Sequence, residues 1–164
     1  IQQQHYNNNN NSNNSLFPTS VVDRAAAREI AEMINAGTQP YQNKNFVARL
    51  EKESEGRIQP LEFSRSVITR GLQAVEDVLV ANKKQQQQQT TGSNNNTNSN
   101  GPFALGTHAP TIADAFIVPQ LANARRDEID IATLFPTLAK IEEACSVHEW
   151  FKKAHPNVQP DAVV

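Results

Sequence analysis

The chain has very few of the residues that build disulfide-bonded, metal-binding or nucleic-acid-binding proteins. Its 164 residues include one cysteine, Cys145, which excludes an internal disulfide or a cysteine-based zinc site and is typical of a reducing compartment. The 15 lysines and arginines do not exceed the 17 aspartates and glutamates, so no basic surplus is present to bind a phosphate backbone. No apolar run approaches the ~20 residues that span a bilayer. The composition therefore argues against nucleic-acid-binding and membrane proteins.

The first residues contain neither an initiating methionine nor a pattern that resembles a signal peptide. The one methionine is Met33, so Ile1 is not an initiator, and the first residues do not resemble a cleaved signal sequence. We therefore expect the chain to be a piece of a longer protein.

Side-chain amides are abundant and unevenly distributed. Of 18 asparagines and 14 glutamines, 21 fall in residues 1–15 and 82–101. Such stretches bury too little apolar surface to offset the entropy lost on ordering the backbone. We predict a low-complexity linker at 1–15 and a disordered loop insertion at 82–101; self-associating prion-like segments are the alternative. Subtracting these 35 residues leaves about 129, which is one domain's worth.

The remaining sequence has helical spacing. Apolar residues recur every three or four positions and predict a helix from Asp23 that ends just before Gly37. They predict further helices over 45–55, from residue 60, from residue 111, and over 136–147 and 148–154. No alternating run of β-branched residues is present, so we predict an all-α fold.

Local signals refine this prediction. Thr111 and Asp114 are spaced as structural capping residues at the start of a largely apolar, central helix. Pro119 inside that helix predicts a kink. Gly71 interrupts the apolar stripe of the helix that begins at residue 60, at a cost of about 1 kcal/mol relative to alanine. We expect a neighbouring helix to approach closely there.

Four sequence blocks together resemble one family. The segment 37–43 reads GTQPYQN, 103–114 reads FALGTHAPTIAD, 118–126 reads VPQLANARR and 151–161 reads FKKAHPNVQPD. Over about 16–161 the chain is similar to the C-terminal domain of zeta-class glutathione transferases, the family of the maleylacetoacetate isomerases. The resemblance implies a helical bundle domain of glutathione-transferase type at 16–164.

The resemblance also implies a function and partners. It implies the substrate-side half of a glutathione-dependent maleylacetoacetate cis–trans isomerase of tyrosine and phenylalanine catabolism, cytoplasmic and homodimeric. The catalytic residues of the family lie in an N-terminal thioredoxin-like domain, so none is expected in this chain. A broader glutathione transferase of the same class and a non-catalytic interaction module remain alternatives.

Arg126 is the candidate substrate-binding residue. By resemblance it matches an arginine thought to hold a carboxylate of the dicarboxylate substrate, which suits a guanidinium group because it binds carboxylates through two parallel hydrogen bonds. The structural alternative is that Arg125 and Arg126 complement the helix C-terminus or pair with Asp127 or Glu128.

A second group of candidates would bind glutathione. By resemblance the matching positions are Gln39, Asn43, Lys44 and Asn45, the last standing where a serine is usual. The alternative is that these polar side chains cap a helix broken by Pro40.

The other reactive residue types favour structural interpretations. Cys145 is interpreted as a buried small hydrophobe. The histidines His108, His148 and His155 lack the i,i+3 or i,i+4 pairing of metal ligands, so no metal site is predicted.

Overall fold

The structure is a computed structural model that describes residues 15–90 and 101–162, with side chains omitted at 86–90. These ranges contain seven α-helices: α1 (Val21–Asn35), α2 (Lys44–Glu53), α3 (Pro60–Thr90), α4 (Ile112–Arg126), α5 (Ile131–Leu134), α6 (Pro136–Val147) and α7 (Glu149–Ala154). Short 3-10 turns lie at Gln39–Gln42 and Pro156–Val158. The described ranges contain no strand, and none of their helices is long and apolar enough to cross a bilayer. The all-α prediction is confirmed.

Helix α4 is the centre of the core. Helices α1, α3 and α6 all pack against it. Its inward face is fully buried, as expected for a helix that is apolar around most of its circumference. The buried apolar residues of α4 are Ala113, Ile117, Leu121 and Ala124. Pro119 lies inside this helix, which continues on both sides of it; the kink stays a prediction.

The start of α4 is fixed by a buried carboxylate. The backbone N–H and the hydroxyl of Thr111 donate to Asp114 Oδ2 over 2.7 and 2.9 Å, and the Ala104 N–H donates to Asp114 Oδ1 over 2.8 Å. Thr111 and Asp114 thus occupy the capping positions that the sequence indicates. Because Ala104 belongs to the preceding loop, Asp114 also fastens that loop to the central helix.

Helix α3 extends further than the sequence indicated. It continues through Thr90 and so includes the first part of the segment 82–101, for which we predicted a disordered loop. Lysine and glutamine have high helix propensity, and lengthening an existing helix requires no new nucleation, which explains the continuation. The residues 91–100, and 1–14 of the predicted linker, lie outside the described residues.

A glutamate from α3 determines where α6 begins. Glu76 is buried and accepts hydrogen bonds from the N–H groups of Thr137 and Leu138, over 2.8 and 3.0 Å. Those two groups lie in the first turn of α6, whose own N-cap residue, Phe135, provides no side-chain acceptor. Glu76 therefore replaces the usual N-cap with a long-range contact.

The close neighbour of Gly71 is a threonine, not another helix as predicted. A Cβ atom added to Gly71 would lie 2.0 Å from Thr38 Oγ1 and 3.0 Å from Thr38 Cβ. Thr38 is itself buried, and its hydroxyl donates to the carbonyl of Met33 over 3.2 Å. The contact therefore fixes the residue that precedes the Gln39–Gln42 turn.

Replacing Gly71 with alanine is expected to lower the free energy of unfolding by about 3 kcal/mol, because overpacking against Thr38 outweighs the higher helix propensity of alanine. Urea denaturation followed by circular dichroism measures this loss. Gly56→Ala is the matched control: that glycine has φ +77° but nothing within 4 Å of the added Cβ, so only about 1 kcal/mol of backbone strain is expected. The close-contact interpretation is wrong if Gly71→Ala costs no more than Gly56→Ala, or if Thr38→Ala restores none of its lost stability.

Candidate functional site

The four predicted glutathione-binding residues form one exposed surface where the Gln39–Gln42 turn meets α2. Gln39, Asn43, Lys44 and Asn45 are all exposed. Asn43 is the N-cap of α2, and its Oδ1 atom accepts a hydrogen bond from the Asn45 N–H over 3.0 Å. The alternative interpretation, that these polar side chains cap a helix, therefore applies to Asn43, whose Oδ1 atom caps α2. The side chains of Gln39, Lys44 and Asn45 do not cap this helix.

The electrostatics of this surface suit a carboxylate. The N-terminal end of α2 carries the partial positive charge of the helix dipole, and Lys44 adds a full charge at the first helical position. The first turn of α2 contains no acidic residue that would oppose them. An anionic peptide ligand is the kind of molecule that such a helix start and its neighbouring amides bind.

The two arginines at the end of α4 have different partners. Arg125 makes a two-pronged ion pair with Glu142 on α6, where we predicted Asp127 or Glu128 as alternatives. Arg126 is exposed, and its Nε atom lies 3.8 Å from Asp127 Oδ1, which is a long contact. The Arg126–Asp127 contact is one of the pairings named as the structural alternative. The two arginine side chains are about equally exposed, 55% and 56%, so they differ in their pairing: Arg125 links α4 to α6, and Arg126 has the longer contact within its own chain segment.

Residues near the start of α3 hold the backbone next to Arg126. The Ser64 hydroxyl donates to Asp127 Oδ2 over 2.5 Å, and Arg65 Nε donates to the Asp127 carbonyl over 2.7 Å. A second nitrogen of Arg65 pairs with Glu128. Glu128 has φ +59°, a conformation that non-glycine residues rarely adopt. These contacts fix the C-terminal end of α4, and the sequence analysis did not identify Ser64 or Arg65.

The preceding residue of α3, Phe63, contacts α2 beside the four predicted glutathione-binding residues, Gln39, Asn43, Lys44 and Asn45, which together form the glutathione-side surface. The ring centroid of Phe46, in the first turn of α2, lies 6.3 Å from that of Phe63, and Tyr41 packs edge-on against Phe46 at 5.8 Å. Residues adjoining both candidate groups therefore contact the same stretch of α3, Phe63 to Arg65. Among the described residues, no hydrogen bond or ion pair joins Arg126 to Gln39, Asn43, Lys44 or Asn45. The two candidate groups are connected through α3 instead.

Cys145 is a buried core residue, and two of the histidines cap helices. Cys145 is fully buried, and burial, together with the charges of Asp114 and Glu142, raises the pKa of its thiol to about 12. The thiol is therefore protonated at neutral pH and is a poor nucleophile. His148 and His155 accept backbone hydrogen bonds as N-caps of α7 and of the Pro156–Val158 turn. In the ranges that the structure describes, no group of three potential ligands could hold a metal ion.

The sequence analysis also missed a buried amide pair. Gln42, inside the GTQPYQN block, bonds to Gln120, inside the VPQLANARR block. The available signal was that both blocks contain a glutamine and also a candidate binding residue, Asn43 in one and Arg126 in the other. Nothing local in either block shows that the two side chains meet.

Comparison with known proteins gives a consistent result. No protein-family model matches the chain. The probable maleylacetoacetate isomerase 1 of Drosophila melanogaster is 33% identical over 147 residues, which are 90% of this chain and 50% of that protein. A crystal structure of maleylacetoacetate isomerase from Anaeromyxobacter dehalogenans with glutathione in the active site is 37% identical, with a TM-score of 0.72, and the match covers 93% of this chain and 61% of that one. The same bacterial protein with dicarboxyethyl glutathione and citrate in its active site gives a TM-score of 0.71 at 37% identity, covering 93% of this chain and 60% of that one.

Each match covers a larger share of this chain than of the relative. Nearly all of this chain is matched, whereas it spans only about half to three fifths of the length of these relatives.

Proposed function

We propose that this chain, whose homologues across nine tenths of its length are maleylacetoacetate isomerases, is the substrate-side half of a glutathione-dependent maleylacetoacetate isomerase. The reaction is the cis–trans isomerisation of maleylacetoacetate to fumarylacetoacetate in tyrosine and phenylalanine catabolism. The single observation that supports it best is that neighbours of the two candidate groups contact consecutive positions of α3. Phe46, beside the glutathione-side surface, packs against Phe63, and Asp127, next to Arg126, bonds to Ser64 and Arg65.

The residues present suit glutathione. It is a peptide with two carboxylates, and the exposed amides of Gln39, Asn43 and Asn45 provide donors and acceptors beside the electropositive start of α2. When bound, glutathione supplies the thiol that temporarily removes the double-bond character of the substrate and permits rotation. Lys44 would neutralise a glutathione carboxylate at this helix start.

On the substrate side, Arg126 would bind a carboxylate of the dicarboxylate substrate. A guanidinium group makes two parallel hydrogen bonds to a carboxylate, which fixes the orientation of the substrate as well as its position. Ser64 and Arg65 hold the adjoining Asp127 backbone and side chain, so the base of Arg126 is rigid. In these binding roles, neither Arg126 nor the amide side chains of the glutathione-side surface need to transfer a proton.

The thioredoxin-like domain would pack against an apolar surface near the start of the described chain. Phe17, Val21 and Val22 are 44%, 71% and 75% exposed. A groove nearby is lined by Leu16, Ala115, Trp150, Phe151 and Ala154. Clustered exposed apolar side chains of this kind are typical of a surface that another domain covers.

The proposal includes a homodimer located in the cytoplasm. Tyr41 and Phe46 are exposed aromatic residues directly beside the glutathione-side surface. Aromatic residues are enriched in the cores of protein interfaces, which supports a second copy of the enzyme next to this site.

The test uses the full-length parent protein, which is this chain together with the domain that precedes it. We expect this protein to convert maleylacetoacetate to fumarylacetoacetate only when glutathione is added. The conversion is measured through the change in absorbance of the substrate. A parent chain without a thioredoxin-like domain, or one that shows no glutathione-dependent conversion, contradicts the proposal. Turnover of α-haloacids alone would favour the broader transferase, and failure to bind glutathione would favour the interaction module.

A further inference from the structure

A reciprocal amide pair connects the glutathione-side turn to the central helix. Gln42 Nε2 donates to Gln120 Oε1 over 2.8 Å, and Gln120 Nε2 donates to Gln42 Oε1 over 2.9 Å. The two residues are 78 positions apart in the chain, and their exposed fractions are 7% and 2%. The pair therefore joins two distant segments inside the protein.

The pair restricts geometry because each amide depends on the other. A buried amide group that loses its partner retains the full cost of having left water, so the two side chains must keep their mutual distance and orientation. Throughout the described residues, no buried side-chain nitrogen or oxygen lacks a hydrogen-bond partner. Movement of the turn relative to α4 would break both hydrogen bonds at once.

The other contacts of the turn lead to different elements. Thr38 fits against Gly71 of α3, and the turn packs against α1, α2 and α3. The Gln42–Gln120 pair adds a specific polar connection to α4, the helix that carries Arg126 at its end. Gln42 lies between Gln39 and Asn43 in the sequence. Holding its side chain in place therefore also restricts the backbone positions of those two exposed residues.

We propose that Gln42 and Gln120 are a positioning pair for glutathione binding. Neither buried side chain needs to touch the ligand. The pair sets the position of the Gln39–Asn43 surface relative to α4, and thereby the spacing between the glutathione-side and substrate-side groups. This inference rests on the proposed function, because it assigns glutathione to that surface.

The test compares Gln42→Leu, Gln120→Leu and the double variant in the full-length parent protein. We expect each single variant to weaken glutathione binding about tenfold, measured by isothermal titration calorimetry, because an unpaired buried amide displaces the turn. We expect the double variant to bind no worse than either single variant, since both substitutions remove the same pair. In steady-state assays the KM for glutathione should rise about tenfold, while kcat at saturating glutathione changes less than about twofold.

Gln73→Leu is the matched control. Gln73 is a glutamine on α3 whose amide bonds to Asp77 within the same helix, at the surface. We expect that variant to bind glutathione as the unaltered protein does. A purely structural role for the pair predicts a lower melting temperature with unchanged glutathione affinity, and this result overturns the inference, as do additive effects in the double variant.

The test of the Gln42–Gln120 pair can fail independently of the test of the proposed function. An unaltered parent protein that binds glutathione but does not isomerise maleylacetoacetate contradicts the proposed function, while the affinities of the variants still decide the role of the pair. A parent protein that does not bind glutathione, or that lacks the thioredoxin-like domain, overturns both.

Discussion

Replacement of Arg126 by alanine in the full-length parent protein is expected to lower kcat/KM for maleylacetoacetate about 100-fold, mainly through a higher KM. In the proposed role Arg126 makes a charge-assisted, two-pronged hydrogen bond to a substrate carboxylate, and its loss would cost about 2 to 3 kcal/mol. The KM for glutathione should stay the same, because the amide surface lies on a different element. Steady-state kinetics with each substrate varied in turn measures both quantities.

Arg125→Ala is the matched control for this experiment. It removes the same type of side chain one position earlier, but Arg125 pairs with Glu142 on α6. The expected result is a small loss of stability and nearly unchanged kinetics, because exposed ion pairs contribute about 0 to 1 kcal/mol. Arg126→Lys should recover only part of the activity, since an ammonium group cannot reproduce the two parallel hydrogen bonds. Equal kinetic effects at Arg125 and Arg126 would show that the substrate carboxylate is bound elsewhere.

Replacement of Asp114 by alanine should produce the largest loss of stability in the domain, about 4 kcal/mol in the free energy of unfolding. The substitution leaves the N–H groups of Thr111 and Ala104 without their acceptor, and it releases the loop before α4. Burial raises the pKa of the Asp114 carboxyl above its ordinary value, although hydrogen bonds from Thr111 and Ala104 act in the opposite direction. The side chain is thus kept in the core by its hydrogen bonds in spite of the cost of desolvation.

Chemical denaturation of Asp130→Ala provides the comparison. Asp130 also caps a helix, as the N-cap residue of α5, but it is exposed and accepts a hydrogen bond from the Thr133 N–H over 3.2 Å. A loss of about 1 kcal/mol is expected there. If Asp114→Ala does not fold, Thr111→Ala, which removes the hydroxyl but leaves the carboxylate in place, should show an intermediate loss. Similar losses for Asp114→Ala and Asp130→Ala would contradict the role given to burial.

The sequence predicts most helix positions because their causes are local. Proline at the first helical position marks the starts of α3 and α6, and apolar residues three or four positions apart define their buried faces. The sequence misplaces the end of α3 because the amide-rich composition of 82–101 predicts a loop. Lysine and glutamine nevertheless have high helix propensity, and the helix continues through Thr90. The short helix α5 has too few residues to show any periodicity.

Contacts between distant residues could not be predicted in the same way. Glu76 caps a helix that begins about 60 positions later, and Ser64 bonds to an aspartate 63 positions away. No spacing rule connects such pairs, since the fold brings them together. The absence of a polar N-cap before Pro136 was a usable hint that an acceptor would come from another element.

The candidate site was predicted in part for the same reason. The resemblance placed Gln39, Asn43, Lys44 and Asn45 on one stretch of sequence, and the structure places them on one exposed surface. Sequence alone could not distinguish the environments of Arg125 and Arg126, because Glu142 lies on another helix. Their functional assignments remain predictions that the experiments above address.

The continuation of α3 through Thr90 bears on how this gene can vary. The glutamine run at 85–89 lies beyond Leu79, the last core residue of α3, and the preceding Lys83 and Lys84 are exposed. Gaining or losing one glutamine moves the helix end by about 1.5 Å along its own axis and turns it by about 100°. Changes in the length of the glutamine run therefore act beyond Leu79, Lys83 and Lys84 and leave the spacing of the α3 residues up to Lys84 unchanged.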